Sequence, residues 1–281
     1  RVTLNNLDYI KDLGLKIGAK VSITRANEVI PFIGEVLIPG DKEILPPTKC
    51  PTCGSDLMAE GKFLYCSNDN CDTKVTRKII TWLEYNKSKG VAEETVIALQ
   101  ENKIISSLQD FLSLPFSNHK DFELEGFGAR KKEILFEEIK KTLNPTLLQF
   151  ICGMDFKDMG ERKWIPILET RAKELKGEVT VENFIRFLTD IQLTFIPGIA
   201  EETNRKIKRD LVLKGKEIQD VLKCVKVQPF TYSEKTGNLS GKSFCFTGKL
   251  DTMKRAEAEA KVVSAGGVAM SGVSNKLNFL V

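Results

Sequence analysis

The chain has 281 residues, 42% of them hydrophobic and 28% charged, and 42 basic against 38 acidic residues leave a net charge of only +4. That length exceeds one typical domain of roughly 100–200 residues, and the hydrophobic content is that of globular protein. No run approaches the roughly 20 apolar residues that span a bilayer, so no membrane partner is expected, and a polyanionic partner has to be argued from where the charges lie.

Residues 1–48 alternate apolar with polar, most clearly in KVSITRANEVIPFIGEVLI, where Val21, Ile23, Val29, Ile33, Val36 and Ile38 hold the apolar positions. A period of two predicts short strands. Gly14, Gly18, Pro31 and Gly34 fall where turns or bulges belong. Such strands suit a small β-barrel, of which the OB-fold is a common nucleic-acid binder, although any barrel core has the same periodicity. Fewer strands are present than a closed barrel needs. The domain is therefore expected to be incomplete at its N-terminal side, in keeping with a chain that opens on Arg1 rather than Met.

Residues 49–76 concentrate four of the seven cysteines as Cys50-x2-Cys53, twelve residues, then Cys66-x4-Cys71. Two disulfides or a redox C-x-x-C compete with a metal site. Redox chemistry needs one reactive pair rather than two clipped together, and an odd cysteine count argues against an oxidised scaffold. The spacing favours a tetrahedral four-thiolate Zn2+ site, closed and therefore structural. Pro51 and Gly54 suit its first turn, and Asn68, Asp69 and Asn70 its second. Cys152, Cys224 and Cys245 stand singly in hydrophobic stretches and read as reduced core thiols.

From 77 to 230 the period becomes helical. In ARKKEILFEEIKKTL, Ile134, Leu135, Ile139 and Leu143 form one face. Four turns recur: KGVA at 89–92, EGFG at 125–128, KDMG at 157–160 and PGIA at 197–200, whose second residues are 36, 32 and 40 apart. That spacing predicts a repeated helix–turn–helix. Each turn holds one apolar residue (Val91, Phe127, Met159, Ile199) to plug between the helices. The glycines at Gly90, Gly126, Gly128, Gly160 and Gly198 let the backbone approach a phosphate at the helix N-terminus. Lys89 lies within the first turn, and Arg130 and Lys131, Arg162 and Lys163, Arg205 and Lys206 follow the other three. Any one such glycine alone reads as a helix C-cap; four turns of similar grammar, three with basic followers, favour contact with a nucleic-acid backbone rather than with bases. Ala92, Asp158 and Ala200 depart from the glycine pattern, leaving EGFG the most complete turn.

Residues 238–281 read strand, loop, helix, Gly-Gly turn, strand, loop, strand, the beginning of a parallel α/β unit. Phe244 and Phe246 are expected on one strand face, and Ala256, Ala260 and Val263 along the helix. The segment ends on an apolar strand with nothing to cover it, so this domain too is expected to be incomplete.

In this order the segments resemble the carboxy-terminal half of bacterial-type NAD-dependent DNA ligases. RVTLNNLDYIKDLGLKIGAKVSITRANEVIPFI is similar to the family's OB segment, CPTCG and CSNDNC to its zinc finger, FELEGFGARK to its second hairpin, and LSGKSFCFTGKL with SAGGVAMSGVSNKLNFLV to its BRCT domain. The resemblance implies a multidomain α and β protein: a partial OB β-barrel (1–48), a four-cysteine zinc finger (49–76), an all-α helix-hairpin-helix domain with four hairpins (77–230) and a partial α/β BRCT domain (238–281). It implies that Arg25, Val29 and Ile30 touch DNA near a nick, although Asn27 and Glu28 replace the family's usual Gly-Asp. The hairpins would grip nicked duplex DNA, and the zinc finger would join the OB-fold to them. No catalytic residue is assigned. The family's adenylated lysine lies in K-x-D-G, and this chain has no Asp-Gly dipeptide. NAD and Mg2+ would bind an adenylation domain outside these residues, in the same full-length chain or a separate subunit, so this chain alone is expected to be inactive. His119 reads as a surface loop residue. The expected location is cytoplasmic or nucleoid-associated. The rival reading is a non-enzymatic DNA-repair scaffold that binds duplex through the same hairpins; the OB loop, which a scaffold does not need, favours the ligase.

Overall fold

The structure is a computed structural model that describes every residue except 1, 27–29, 233–237, 240–241, 249, 251–252, 254, 271 and 274–276; the side chains of residues 26, 30 and 256 also lie outside the description. Two compact units emerge. The first comprises residues 1–145, 149–155 and 214–226, and the second 146–148, 156–213 and 227–281.

The first unit opens with a short helix α1 (Leu7–Asp12), where the Asn6 side chain accepts from the Tyr9 N–H at 3.0 Å. Strands β1 (Lys20–Ala26) and β2 (Ile30–Ile38) then pair antiparallel. The register shifts twice, and Gly34 falls in one of the shifts, so it is a bulge glycine as expected. Of the alternating residues Ile33 is buried, while Ile23 and Ile38 are 59% and 51% exposed. A two-stranded ladder has no opposing layer to cover that face.

A hairpin of β3 (Leu57–Glu60) and β4 (Phe63–Cys66) leads into α2 (Asp72–Tyr85), α3 (Glu93–Glu101), α4 (Leu108–Ser113), α5 (Ala129–Lys141) and α6 (Leu147–Gly153). Their core gathers Ile79, Trp82, Leu99, Phe111, Leu135, Ile139 and Phe150, with Trp82 and Phe150 edge-to-face at 6.1 Å. Deep in it the Thr76 hydroxyl donates to Gln100 Oε1, and Gln100 Nε2 donates to the Asp72 carbonyl at 3.1 Å. The α5 face differs from expectation in one residue. Leu135 and Ile139 are buried, but Ile134 is 37% exposed, because a 3.6-residue period carries it off the Leu135–Ile139 stripe.

The second unit contains α7 (Glu161–Leu175), strand β5 (Glu178–Val179), α8 (Val181–Asp190), the start of the long helix α9 (Glu201–Leu222) and β6 (Phe230–Thr231), which pairs with β5. The helical region is therefore not purely helical. Its aromatic centre is Trp164, with Phe156 at 5.3 Å and Phe184 at 6.0 Å. Beyond it, β7 (Ser243–Cys245), α10 (Arg255–Ser264), β8 (Val268–Met270) and β9 (Phe279–Leu280) build a parallel sheet in the order β8-β7-β9. The buried helix face is not the one read from sequence, and β7 ends before Phe246. Cys245 is the buried strand residue, and Ala258 and Val262, one helical turn apart, are the buried helix residues. Val263 is 45% exposed, Ala260 is exposed, and the Ala256 side chain is outside the description. Phe244 instead stacks on Phe279 at 4.8 Å.

Two glycines give opposite expectations. A Cβ on Gly153 would lie 2.7 Å from Trp82 Cε3, whereas one on Gly215 in α9 meets nothing within 4 Å. Gly153→Ala should lower the melting temperature through overpacking of about 1–3 kcal/mol, and Gly215→Ala should raise it by helix propensity of about 0.5–1 kcal/mol. Thermal unfolding of both variants checks this pair.

Candidate metal centre and hairpin turns

The four predicted metal ligands come together. The sulfur atoms of Cys50, Cys53, Cys66 and Cys71 lie within 4.8 Å of one another, with Cys50 to Cys71 at 3.9 Å and Cys53 to Cys66 at 3.4 Å. A tetrahedron with metal–sulfur bonds of about 2.3 Å has edges of about 3.8 Å, so the donor set fits zinc. The chain builds the site locally. Gly54, at φ +71°, closes the first turn by donating its N–H to the Cys50 carbonyl at 2.9 Å, and Cys50 N–H reaches the Ser55 carbonyl at 2.7 Å. In the second turn Asn70 N–H donates to Asn68 Oδ1 at 2.9 Å, and Cys71 forms the N-cap of α2.

The thiols titrate unlike one another. Hydrogen bonds from the Ser55 side chain and backbone hold Cys53 down to about 6. At Cys66 the Asn68 backbone pulls downward, but burial and the facing Cys53 and Cys50 thiols outweigh it and push the group up to about 11. Four thiols this close cannot all ionise beside one another; a divalent cation among them removes that conflict. Cys152 and Cys245 are buried, as expected of core thiols, whereas Cys224 is only half-buried.

The four turns each separate one helix from the next: α2 from α3, α4 from α5, α6 from α7, and α8 from α9. The last three share one geometry. Phe127, Met159 and Ile199 donate their N–H groups to the carbonyls three residues earlier, Leu124, Phe156 and Ile196, at 2.9, 3.1 and 3.0 Å. The residue before each plug is left-handed: Gly126 at φ +74°, Asp158 at +60° and Gly198 at +86°. That is the third position of a type II turn, which favours glycine. Asp158 thus holds the glycine conformation without being glycine. All three plugs are buried, and each helix starts two residues after its plug. A Cβ on Gly126, Gly128 or Gly198 would meet nothing within 4 Å, so these glycines border open space.

The first turn differs. Gly90 is not left-handed; its glycine is required because a Cβ would fall 2.7 Å from Glu138 Cγ. Glu138 accepts from Lys141 Nζ at 2.5 Å, Ser88 Oγ at 2.7 Å and Lys89 N–H at 3.3 Å, and these donors hold its carboxyl down to about 2.

The basic residues have different fates. Lys89, Arg162 and Arg205 are exposed. Arg130 is exposed and pairs with Glu133 at 2.6 Å, while Lys131 Nζ sits 3.8 Å over the Phe127 ring. Lys163 Nζ donates to the Asp158 carbonyl at 2.7 Å. Lys206 is held between Asp158 at 2.6 Å and Glu202 at 3.0 Å; Asp158, then Glu202, raises its pKa, and Lys206 keeps Asp158 below the usual carboxylate range. Much of the RKIKRDLVLKGK cluster is engaged likewise. Lys208 donates to the Thr189 carbonyl at 3.1 Å, Arg209 approaches Asp210, and Lys214 donates to the Met154 and Asp155 carbonyls at 2.9 Å each. Arg25 is exposed on β1 opposite Pro31; Val29 lies outside the described residues, as does the side chain of Ile30, which begins β2. His119 is exposed, as expected.

One feature was legible but missed. The helices after the second and third turns carry Arg130-Lys131 and Arg162-Lys163 at matching positions, whereas those after the first and fourth open with Glu93-Glu94-Thr95 and Glu201-Glu202-Thr203. Aligning the four turns on their plugs displays the contrast.

A mixed α and β chain with a four-cysteine cluster that could hold a metal, and a repeated turn before its helices, is the class that fold and site define. The chain is homologous to DNA ligases along its entire length, as a carboxy-terminal part of a bacterial DNA ligase would be. It is 32% identical over 293 residues to the DNA ligase of Treponema denticola, 30% over 292 residues to one from Clostridium perfringens and 28% over 299 residues to that of Methylacidiphilum infernorum, with all of this chain covered each time. It spans 43%, 42% and 40% of those relatives' lengths. No protein-family model matches the chain. No helix among the described residues is long and apolar enough to cross a membrane.

Cys53→Ser should reduce bound zinc from about one per chain to a small fraction, measured by metal analysis after dialysis; undiminished zinc would refute the ligand set. A second expectation concerns pH. Glu138 sits at about 2 in the fold against roughly 4.3 unfolded, so its stabilisation is present at neutral pH and is lost as pH falls from about 5 toward 2. The stability gap between the native chain and Glu138→Gln should narrow over that window in acid titrations.

Proposed function

We propose that this chain is the DNA-gripping part of an NAD-dependent DNA ligase, holding nicked duplex while an adenylation domain outside these residues performs the sealing chemistry. The observation that carries the reading is the repeated turn: three buried plugs, each beside a left-handed residue, present helix N-termini at which backbone N–H groups are available to phosphate oxygens. Homology to DNA ligases over the whole chain supplies the ligand class.

In this reading residues 77–230 are a helix-hairpin-helix domain. The second and third hairpins take the greater part of the phosphate contact, through Gly126, Phe127, Gly128, Arg130, Lys131, Gly160, Arg162 and Lys163. The first and fourth contribute Lys89, Gly90, Gly198 and Arg205 but place paired glutamates at the helix start, and Lys206 acts mainly by neutralising Asp158. Such contacts hold the duplex without reading its sequence. Residues 1–48 are an OB-fold segment whose Arg25, Val29 and Ile30 lie near the nick. Residues 49–76 are a structural zinc finger joining that segment to the hairpins, and 238–281 begin a BRCT domain. NAD and Mg2+ serve the adenylation domain, and the complete enzyme works in the cytoplasm or on the nucleoid.

Titration of the zinc-loaded chain with nicked duplex should show affinity falling steeply with salt, at a log–log slope of about 0.9 per phosphate neutralised. Arg130→Ala with Lys131→Ala should reduce that slope by about one to two units, equally for unrelated DNA sequences. Asp158→Gly removes a carboxylate and suits the left-handed backbone, so affinity should rise by about two- to fivefold. Nick sealing with NAD and Mg2+ should require an added adenylation-domain protein. Failure of the zinc-loaded chain to bind nicked duplex would sink the proposal, and sealing by this chain alone would overturn its division of labour.

A further inference from the structure

Two buried or largely covered carboxylates occupy matching places in the hairpin series. Glu138 stands ten residues after Gly128, the residue preceding α5, and Asp210 stands ten residues after Ala200, the residue preceding α9. Each reaches back to the preceding turn and accepts from the N–H of a matching residue, three before the helix-preceding residue of that turn. Glu138 Oε2 takes the Lys89 N–H at 3.3 Å, and Asp210 Oδ2 takes the Lys157 N–H at 2.7 Å. In each case the other carboxylate oxygen faces a cation: Lys141 Nζ lies 2.5 Å from Glu138 Oε1, and Arg209 Nε 3.5 Å from Asp210 Oδ1. The first tie lies wholly within the first unit and the second wholly within the second.

The two chemistries differ in length by one methylene, and no sequence repeat surrounds them; the match is in position and bonding. Asp210 is 5% exposed, and the Glu138 side chain 13%. A carboxylate so covered costs free energy unless its oxygens are satisfied, and here each is satisfied partly by the backbone of a turn. The fourth turn cannot make this bond, because its matching residue, Pro197, lacks an N–H. Both ties run the same way, from the helix after an even turn to the odd turn before it. Ser88 Oγ strengthens the first by donating to Glu138 Oε2 at 2.7 Å.

We infer that Glu138 and Asp210 are positioning residues for duplex binding, each fixing an odd-numbered turn to the helix behind the next turn so that hairpins present their backbones in pairs. This rests on the duplex-binding reading above. Neither carboxylate touches the ligand; each acts through the turn it holds. The amide oxygen of Gln or Asn can accept the same N–H, so the conservative variants keep the tie while Ala removes it.

The test uses the full zinc-loaded chain and a nicked duplex probe, comparing Glu138→Ala, Glu138→Gln, Asp210→Ala and Asp210→Asn. Ser88→Ala, a milder break of the first tie, covers the case in which Glu138→Ala fails to fold. Asp210→Ser, whose shorter side chain draws back from the Lys157 N–H, covers the second tie in the same way. Native-state hydrogen exchange at Lys89 and Lys157 reports each tie directly, and circular-dichroism melts report the fold. The Ala variants are expected to exchange the tied amide at least tenfold faster and to bind duplex about five- to tenfold more weakly, with a smaller salt slope. Gln and Asn should bind within about twofold of native. Unchanged binding and salt slope in folded Ala or Ser88→Ala variants whose tied amides exchange fast would overturn the inference while leaving duplex binding intact. A native chain that does not bind duplex would instead overturn the reading on which the inference rests, and the inference with it.

Discussion

A short turn that leads into a helix needs one residue in the left-handed backbone region and one apolar side chain to anchor it in the core. Here the two needs are met at neighbouring positions, Gly126 with Phe127, Asp158 with Met159 and Gly198 with Ile199. Where the helices begin follows from them, since each starts two residues after its plug. So does the surface that faces outward, because a buried plug turns the flanking glycine backbone toward open space. The first turn solves the problem differently, with Lys87 left-handed and Gly90 pressed against Glu138. The same chain thus uses glycine for conformation in some turns and for close approach in another.

Charge at these helix starts runs against helix stability in two places and with it in two others. Acidic residues in a first turn favour the helix dipole and basic ones oppose it, by about 0.3–1 kcal/mol each. Glu93-Glu94 and Glu201-Glu202 are therefore stabilising where they stand. Arg130-Lys131 and Arg162-Lys163 are not, and α5 has no acidic residue in its first turn to offset them. Such helix starts favour an anion, because an anionic ligand would supply the negative charge that the helix start lacks.

Much of this could be read from the chain. The four-cysteine spacing, the turn series and the helices between them all surfaced, because metal spacing and a 3.6-residue period are local signals. What failed was long-range. Nothing local distinguishes Lys206, locked between Asp158 and Glu202, from Arg205, which is exposed; the pairing spans 48 residues. Gly90 looked like its counterparts because a glycine kept for closeness and one kept for φ are the same letter. Asp158 looked like a lapse in the pattern, yet aspartate tolerates the left-handed region and gains a cation partner there. At the C-terminal helix the apolar residues were dense enough to suit two faces, and packing selected Ala258 and Val262.

The thiol cluster and the hairpin series share a residue, and this links metal to helix. Cys71 is a ligand atom's distance from its three partners and is also the N-cap of α2, its carbonyl accepting the Val75 N–H at 3.0 Å. Its sulfur faces both the cluster and the first-turn amides of Thr73 and Lys74. Without a cation, hydrogen bonds lower the Cys50 and Cys53 thiols while burial and the facing thiols raise Cys66 and Cys71; a cation held by all four would tie the start of α2 to the cluster. Ile79 and Trp82 lie further along the same helix in the core of the first unit, so α2 connects the thiol cluster to that core.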